Sequence, residues 1–245
     1  MKQEQDPMGL AIADYHKSGK AARLRVFSPM LEDDEIPVAT LFRSQEEMPS
    51  IEQAALKACR GATLDVGAGA GCHSLALQQM GLQVTAIDIS PLAVATMRER
   101  GVLDVREQDF FTLGGQYDTI LMLMNGIGIV GTLSRMDAFF MQVDRLLAPG
   151  GQLLCDSSDI CYLYEDEDGF IDLTGVEGYY GEMTYQMQYR NTKGEPFPWL
   201  FVDADTLRQQ AALHGFDTDI VIVGDHYDYL ARITRQKEIQ PQTTK

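Results

Sequence analysis

Residues 63–71 read Thr63-Leu64-Asp65-Val66-Gly67-Ala68-Gly69-Ala70-Gly71, an apolar strand running straight into a Gly-x-Gly-x-Gly turn. A helical pattern follows at once, from His73 to Met80. Glycines in such a turn accept positive φ and let a ligand lie against the main chain, because no Cβ stands in the way. The helix behind it presents free N–H groups and the positive end of its dipole to an anionic or polar ligand. A dinucleotide fingerprint needs a small residue five places after the first glycine. Position 72 is Cys, and the third glycine comes one place early at Gly71. Asp65, inside the motif, is not required for dinucleotides either. The spacing points away from a nicotinamide cofactor.

Reading outward, Leu82 to Ile87 forms a second strand that ends on Asp88. A carboxylate at that strand end is placed to accept hydrogen bonds from ribose hydroxyls. Ser90-Pro91 opens the next helix as N-cap and first residue, and Gly101 closes it. A short third strand, Val102 to Arg106, leads to Gln108-Asp109-Phe110-Phe111. Asp65, Asp88 and Asp109 therefore mark successive strands. An acid followed by an aromatic at the third suits the amino group and the face of an adenine.

With these residues in place, 63–157 resembles the core of the class I S-adenosylmethionine-dependent methyltransferases. The resemblance implies a cofactor, S-adenosyl-L-methionine, lying on Gly67, Ala68, Gly69 and Gly71. It implies that Asp65 helps hold the amino-acid end, with His73 near the carboxylate or capping the helix. Asp88 would take both ribose hydroxyls, Ile89 would pack on the adenine, and Asp109 with Phe110 would meet its amino group. Asn125, after the fourth strand, completes the expected cofactor set.

The rest of the chain agrees. Tyr117 to Met124 reads as a fully buried fourth strand, followed by Asn125-Gly126-Ile127-Gly128 where an open α/β sheet places its ligands. Ser134 to Leu147 is helical, and Leu147-Ala148-Pro149-Gly150-Gly151 turns into the strand Gln152 to Cys155. Asp203 to His214 forms a helix, and Asp217 to Val223 with His226 to Arg235 an antiparallel pair. The expected fold is Rossmann-like α/β: a doubly wound, mostly parallel seven-stranded sheet with a C-terminal antiparallel hairpin and a β-hairpin insertion after strand five. One domain is expected over 1–245. It comprises an N-terminal substrate or lid region (1–50), a cofactor core (51–157), an insertion (158–202), a C-terminal helix and hairpin (203–235) and a flexible tail (236–245).

The variable parts carry substrate choice. Residues 1–50 include a helix over Gly9 to Ser18, whose Tyr15 and His16 could face the cofactor, and a second helix spans Ile51 to Cys59. The insertion holds ten aromatics, among them Tyr179, Tyr180, Tyr185, Phe197 and Trp199. Glu182 to Arg190 and Pro196 to Val202 read as a hairpin that extends the sheet or covers the pocket, or else as a small core or dimer face. Methyl transfer needs mainly alignment, helped by a base where the acceptor carries a proton. Candidate bases are Asn125, Asp156, Asp159, His16, Tyr15, Tyr179 and Tyr180; His214 and His226 read as surface residues.

Composition bounds the acceptor. The formal charge is −16, and the acidic runs Glu32-Asp33-Asp34-Glu35 and Glu165-Asp166-Glu167-Asp168 read as solvated loops. Such a field disfavours nucleic acid and suits neutral or cationic small molecules. No stretch approaches a membrane span, and the N-terminus lacks a signal-peptide pattern. The four cysteines (Cys59, Cys72, Cys155, Cys161) have neither metal-ligand spacing nor a disulfide pattern, so a cytoplasmic, metal-free monomer or homodimer is expected. The expected activity is methyl transfer to oxygen or nitrogen of a small molecule. A protein methyltransferase, an aminopropyl transferase and a non-catalytic cofactor-binding protein are the alternatives, and a nicotinamide reductase is the outsider.

Overall fold

Two sheets share the chain unequally. The computed structural model describes residues 5–237. Its helices are α1 (Pro7–Ser18), α2 (Ser50–Ala58), α3 (Cys72–Gln79), α4 (Pro91–Glu99), α5 (Met136–Leu146) and α6 (Ala204–Leu213). The N-terminal strands are β1 (Leu24–Ser28) and β2 (Leu31–Ile36). The core strands are β3 (Ala62–Val66), β4 (Gln83–Asp88), β5 (Asp104–Glu107), β6 (Tyr117–Met122) and β7 (Leu147–Ser158). The insertion supplies β8 (Glu182–Tyr189), β9 (Thr192–Lys193) and β10 (Phe197–Leu200), and the C-terminal part β11 (Phe216–Val223) and β12 (Asp228–Arg235). Most of the tail expected from 236 onward lies outside the described residues.

The large sheet has seven strands in the order β11-β12-β7-β6-β3-β4-β5. β3, β4, β5, β6 and β7 run parallel, and the β11–β12 hairpin joins β7 antiparallel. This is the expected Rossmann-like α/β sheet with its terminal antiparallel pair. Central strands are apolar on both faces because helices cover both. On one face α5 contributes Met136, Phe139, Phe140, Val143 and Leu146, spaced three or four apart and fully buried. On the other face Leu56 of α2 and Leu77 of α3 pack with Leu121, Leu154 and Leu230 of the sheet. Each such side chain stabilises the fold by about 1.5–3 kcal/mol through area removed from water.

The second sheet, order β10-β8-β1-β2 with β9 paired to β8, departs from expectation. The insertion hairpin does not extend the main sheet; β8 pairs antiparallel with β1 from the N-terminal region. The run Glu32 to Glu35, expected as a loop, is edge strand β2. Backbone pairing with β1 outweighs the poor strand propensity of acids. Charge on an outermost strand also discourages further strand addition.

This sheet is anchored at both ends near the carboxyl edge of the main one. Leu24 and Tyr189 pack with Ala11 of α1. The N-terminus of α1 is in turn fixed to the start of α4, where the Ser90 hydroxyl donates to Asp6 Oδ2 at 2.5 Å. At the other end the Trp199 indole lies so close to Gly128 that a Cβ there would come within 2.1 Å of its Nε1. Asn125 Nδ2 donates to the Leu200 carbonyl nearby (3.3 Å). The sheet thus forms a roof reaching from α1 to the segment after β6.

Candidate active site

The strand–turn–helix after β3 folds as its glycines require. Gly67, Gly69 and Gly71 have φ of 67°, 57° and 83°, all in the left-handed region. The Gly67 and Ala68 N–H groups donate to the Ile87 carbonyl at 2.9 and 3.0 Å, which ties the turn to the end of β4. Gly71 serves packing, since a Cβ would meet Val102 and Met97 at 2.9 and 3.0 Å. Gly67 and Gly69 face open space, where a Cβ would meet nothing nearer than 4.0 Å.

Two of the three acids have engaged side chains around this turn. The Asp65 carboxylate is buried and accepts the Ser74 hydroxyl at 2.6 Å; burial raises its pKa against the help of His73 and Ser74. Asp88 accepts the Gly69 N–H (2.9 Å) on one oxygen and the Ser90 N–H (2.8 Å) on the other. Burial pushes this carboxyl up to about 6 despite both donors. Asp109 is exposed just beyond β5 and caps the following turn through the Phe111 N–H (2.8 Å). Ile89 is 50% exposed beside Asp88, an apolar surface free for a planar group. Phe110 is a correction: its ring is buried against Phe139 at 5.8 Å and offers no face at the strand ends.

Of the two roles expected of His73, capping is excluded. Its side chain is buried, with Nε2 2.7 Å from Glu52 Oε2 of α2. The Arg43 guanidinium grips both oxygens of the same Glu52. Burial alone would lower the imidazolium, but the Cys72 thiol and Glu52 raise it to about 10. Burial alone would raise Glu52, yet its hydrogen bonds from His73 and Arg43 leave it lowered. Arg43 and Glu52 were not legible beforehand, because nothing local marks Glu52 as buried rather than on the wet side of an amphipathic helix.

The candidate bases scatter. β6 stops at Met122 because Met124 and Asn125 take φ of 63° and 57°, a left-handed pair rare without glycine. Asp156 holds that turn by accepting the Met124 and Gly126 N–H groups at 3.0 and 3.2 Å, and burial pushes its carboxyl up to about 7. It is a backbone clamp. Asp159 is bonded by the Tyr180 hydroxyl (2.8 Å) and the Cys161 N–H (2.9 Å). The Tyr179 hydroxyl donates to Asp203 (2.6 Å) and accepts the Asp203 N–H (2.9 Å), and burial raises its pKa further. His16 pairs with Glu99 at the far end of α4, and Tyr15 packs on Phe42. Asn125 Oδ1 is buried with no hydrogen-bond partner among the described residues, as are Arg43 Nε and Thr218 Oγ1. His214 sits on Phe140 and Asp137, and His226 is exposed.

The arrangement is a backbone cradle with carboxylates at successive strand ends, under a roof, and its donor set suits an adenosyl group. A family profile described as a methyltransferase domain matches residues 63–151. A solved S-adenosylmethionine-dependent methyltransferase from Bacteroides fragilis, in complex with S-adenosyl-L-homocysteine, is 51% identical with a TM-score of 0.91. That similarity covers 97% of this chain and 98% of the other. The chain belongs to the S-adenosylmethionine-dependent methyltransferases. Its cofactor is S-adenosylmethionine.

Two more distant methyltransferases share the fold alone. CcbJ from Streptomyces caelestis is 13% identical with a TM-score of 0.60, covering 96% of this chain and 100% of its own. CalS10, an amino pentose methyltransferase from Micromonospora echinaspora, is 20% identical with a TM-score of 0.54, covering 84% and 100%. No curated protein matches the methyltransferase chain. Among the described residues no helix is long and apolar enough to cross a membrane, and no three His, Cys, Asp or Glu side chains are grouped to hold a metal ion.

Proposed function

We propose that this methyltransferase acts on an oxygen or nitrogen of a small, neutral or cationic molecule bound between the roof sheet and the carboxyl ends of β3, β4 and β6. The supporting observation is the contact of Trp199 with Gly128, which brings aromatic residues of the insertion beside the turn that follows β6. In this reading the main chain of Gly67, Ala68 and Gly69 underlies the methionine and ribose, and Asp88 receives the ribose hydroxyls. Ile89 covers the adenine, the Asp109 side of the site receives its amino group, and Asp65 supports the amino-acid end through Ser74. The cofactor, when bound, supplies a methyl on sulfonium whose leaving group departs neutral.

The chain's own contribution is placement. Asn125 Oδ1, buried and without a partner, accepts a hydrogen bond from the acceptor O–H or N–H and points its lone pair. The clamp of Asp156 fixes Asn125 in its left-handed conformation. With Asp156, Asp159 and Tyr179 committed elsewhere, the acceptor proton leaves to solvent. Alignment of this kind supplies several kcal/mol of the barrier reduction.

The test is a screen of amine and alcohol acceptors followed by Trp199→Ala. The variant should raise KM for the best acceptor on the order of tenfold, with S-adenosylhomocysteine affinity unchanged in calorimetry. Unchanged acceptor kinetics would remove the roof from the acceptor site.

A further inference from the structure

A buried carboxylate from the start of the chain reaches the glycine turn. Asp6 precedes α1 and caps it, accepting the Gly9 N–H on Oδ1 at 2.8 Å. Its other oxygen accepts the Ser90 hydroxyl at 2.5 Å, across 84 residues of chain. Ser90 Oγ in turn accepts the Ala93 N–H at 3.0 Å as the cap of α4, and the Ser90 N–H donates to Asp88 Oδ1 at 2.8 Å. The second oxygen of Asp88 holds the Gly69 N–H. A continuous series of hydrogen bonds thus runs from α1 through Ser90 and Asp88 to the turn. Asp6 is 1% exposed and Ser90 4%, so water does not compete for their contact.

Capping alone does not call for this arrangement. A cap needs one acceptor, and asparagine or serine supplies it as well as aspartate does. A buried N–H and a buried O–H, one on each oxygen, call for a carboxylate, since asparagine has a single acceptor atom. Gly9 points the same way. Alanine is the better helix former, yet a Cβ at Gly9 would come within 2.2 Å of Asp6 Oδ2 and 2.3 Å of Ser90 Oγ. The glycine leaves room for the contact. α1 also touches the turn directly, since Ile12 packs with Ala70, between Gly69 and Gly71, and with Ala93 of α4.

We infer that Asp6 is a positioning residue for the cofactor, holding Asp88 through Ser90 where it meets the ribose. This assignment rests on Asp88 taking the ribose hydroxyls. Asp6 fixes Ser90, Ser90 fixes one oxygen of Asp88, and Asp88 fixes Gly69. Asp6 bears on the charge of Asp88 as well: burial first, then Asp6 and Asp65 of β3, raise that carboxyl against the Ser90 and Gly69 N–H groups. Around it, Glu107 of β5 is its register partner, and α4 opens on the uncharged Pro91, Leu92 and Ala93. The titratable groups of α1 itself, Asp14, Tyr15, His16 and Lys17, fall in its second half.

The experiment is calorimetry of S-adenosylhomocysteine binding to Asp6→Asn, which keeps the cap of α1 and should unfold at the native temperature. At about pH 8, above the range in which Asp88 titrates, the variant should bind about tenfold more weakly. The pH at which binding fades should fall by roughly half a unit, because Asp88 loses a negative neighbour. In an Asp88→Ala background, Asp6→Asn should cost nothing further. Gly9→Ala displaces the contact and keeps both carboxylates, and it should weaken binding too. An equal loss with and without Asp88, or native affinity with an unmoved pH profile, leaves Asp6 a helix cap and overturns the assignment. Unchanged affinity in Asp88→Ala alone would remove the ribose reading and the positioning role with it, so the two failures are distinguishable.

Discussion

Asp88→Ala should lower the affinity for S-adenosylhomocysteine about 100-fold, on the order of 3 kcal/mol, with the fold retained. One carboxylate does two things at this position. It accepts the Gly69 and Ser90 N–H groups, one on each oxygen, joining the glycine turn to the start of α4, and it is the proposed acceptor for the ribose hydroxyls. Alanine removes the proposed ribose acceptor and also loosens the Gly69 conformation on which the cradle depends. Because the carboxyl sits near 6, binding by the native protein should weaken as pH falls through about 6, where the acceptor becomes protonated. The variant should lack that dependence. Calorimetry between pH 5 and 8 reads both effects; an unchanged affinity would mean the ribose lies elsewhere.

Glu52→Ala should be the more damaging change to stability, on the order of 3–5 kcal/mol. Glu52 is buried between Arg43 and His73, so truncation takes their shared carboxylate from two interior cations and leaves only Asp65 acting on His73. His73 has its folded pKa raised to about 10, above the ordinary imidazole value. Its stabilisation is therefore complete below about pH 6.5 and is lost as pH rises through about 10. Denaturant titrations of the native protein should show stability falling across that interval. In Glu52→Gln the slope should flatten, because the imidazolium loses its carboxylate. A slope equal in both proteins would assign the alkaline loss to other groups.

What the chain made legible follows from how local each signal is. The glycine turn, Asp65, Asp88 and the buried strands β3, β4 and β6 each declare themselves within a few residues, through a strained turn or a continuous apolar run. Phe110 was misplaced because an aromatic after a strand end can turn inward as easily as outward, and here Phe139 gave it a partner. The surroundings of the candidate bases were hidden for a related reason. Asp156 and Tyr179 are polar in sequence, yet their bonds to Met124, Gly126 and Asp203 join positions far apart in the chain. β2 was hidden because four consecutive acids do not alternate, and β1 finds its second neighbour in the insertion.

That last pairing has a temporal side. The Ala22 N–H reaches the Tyr189 hydroxyl across 167 residues of chain, whereas β3, α3 and β4 are consecutive. During synthesis the first roof strands emerge early and then wait, unpaired, until the insertion is made; the acidic edge of β2 keeps them from finding another chain meanwhile. Long-range closures of this kind form late in refolding. Pulsed hydrogen exchange should protect amides of β3 and β4 before those of β1 and β8, and simultaneous protection would refute the order. With the roof proposed to cover the acceptor, the nascent enzyme would acquire a place for its methyl donor before it acquires one for the molecule to be methylated.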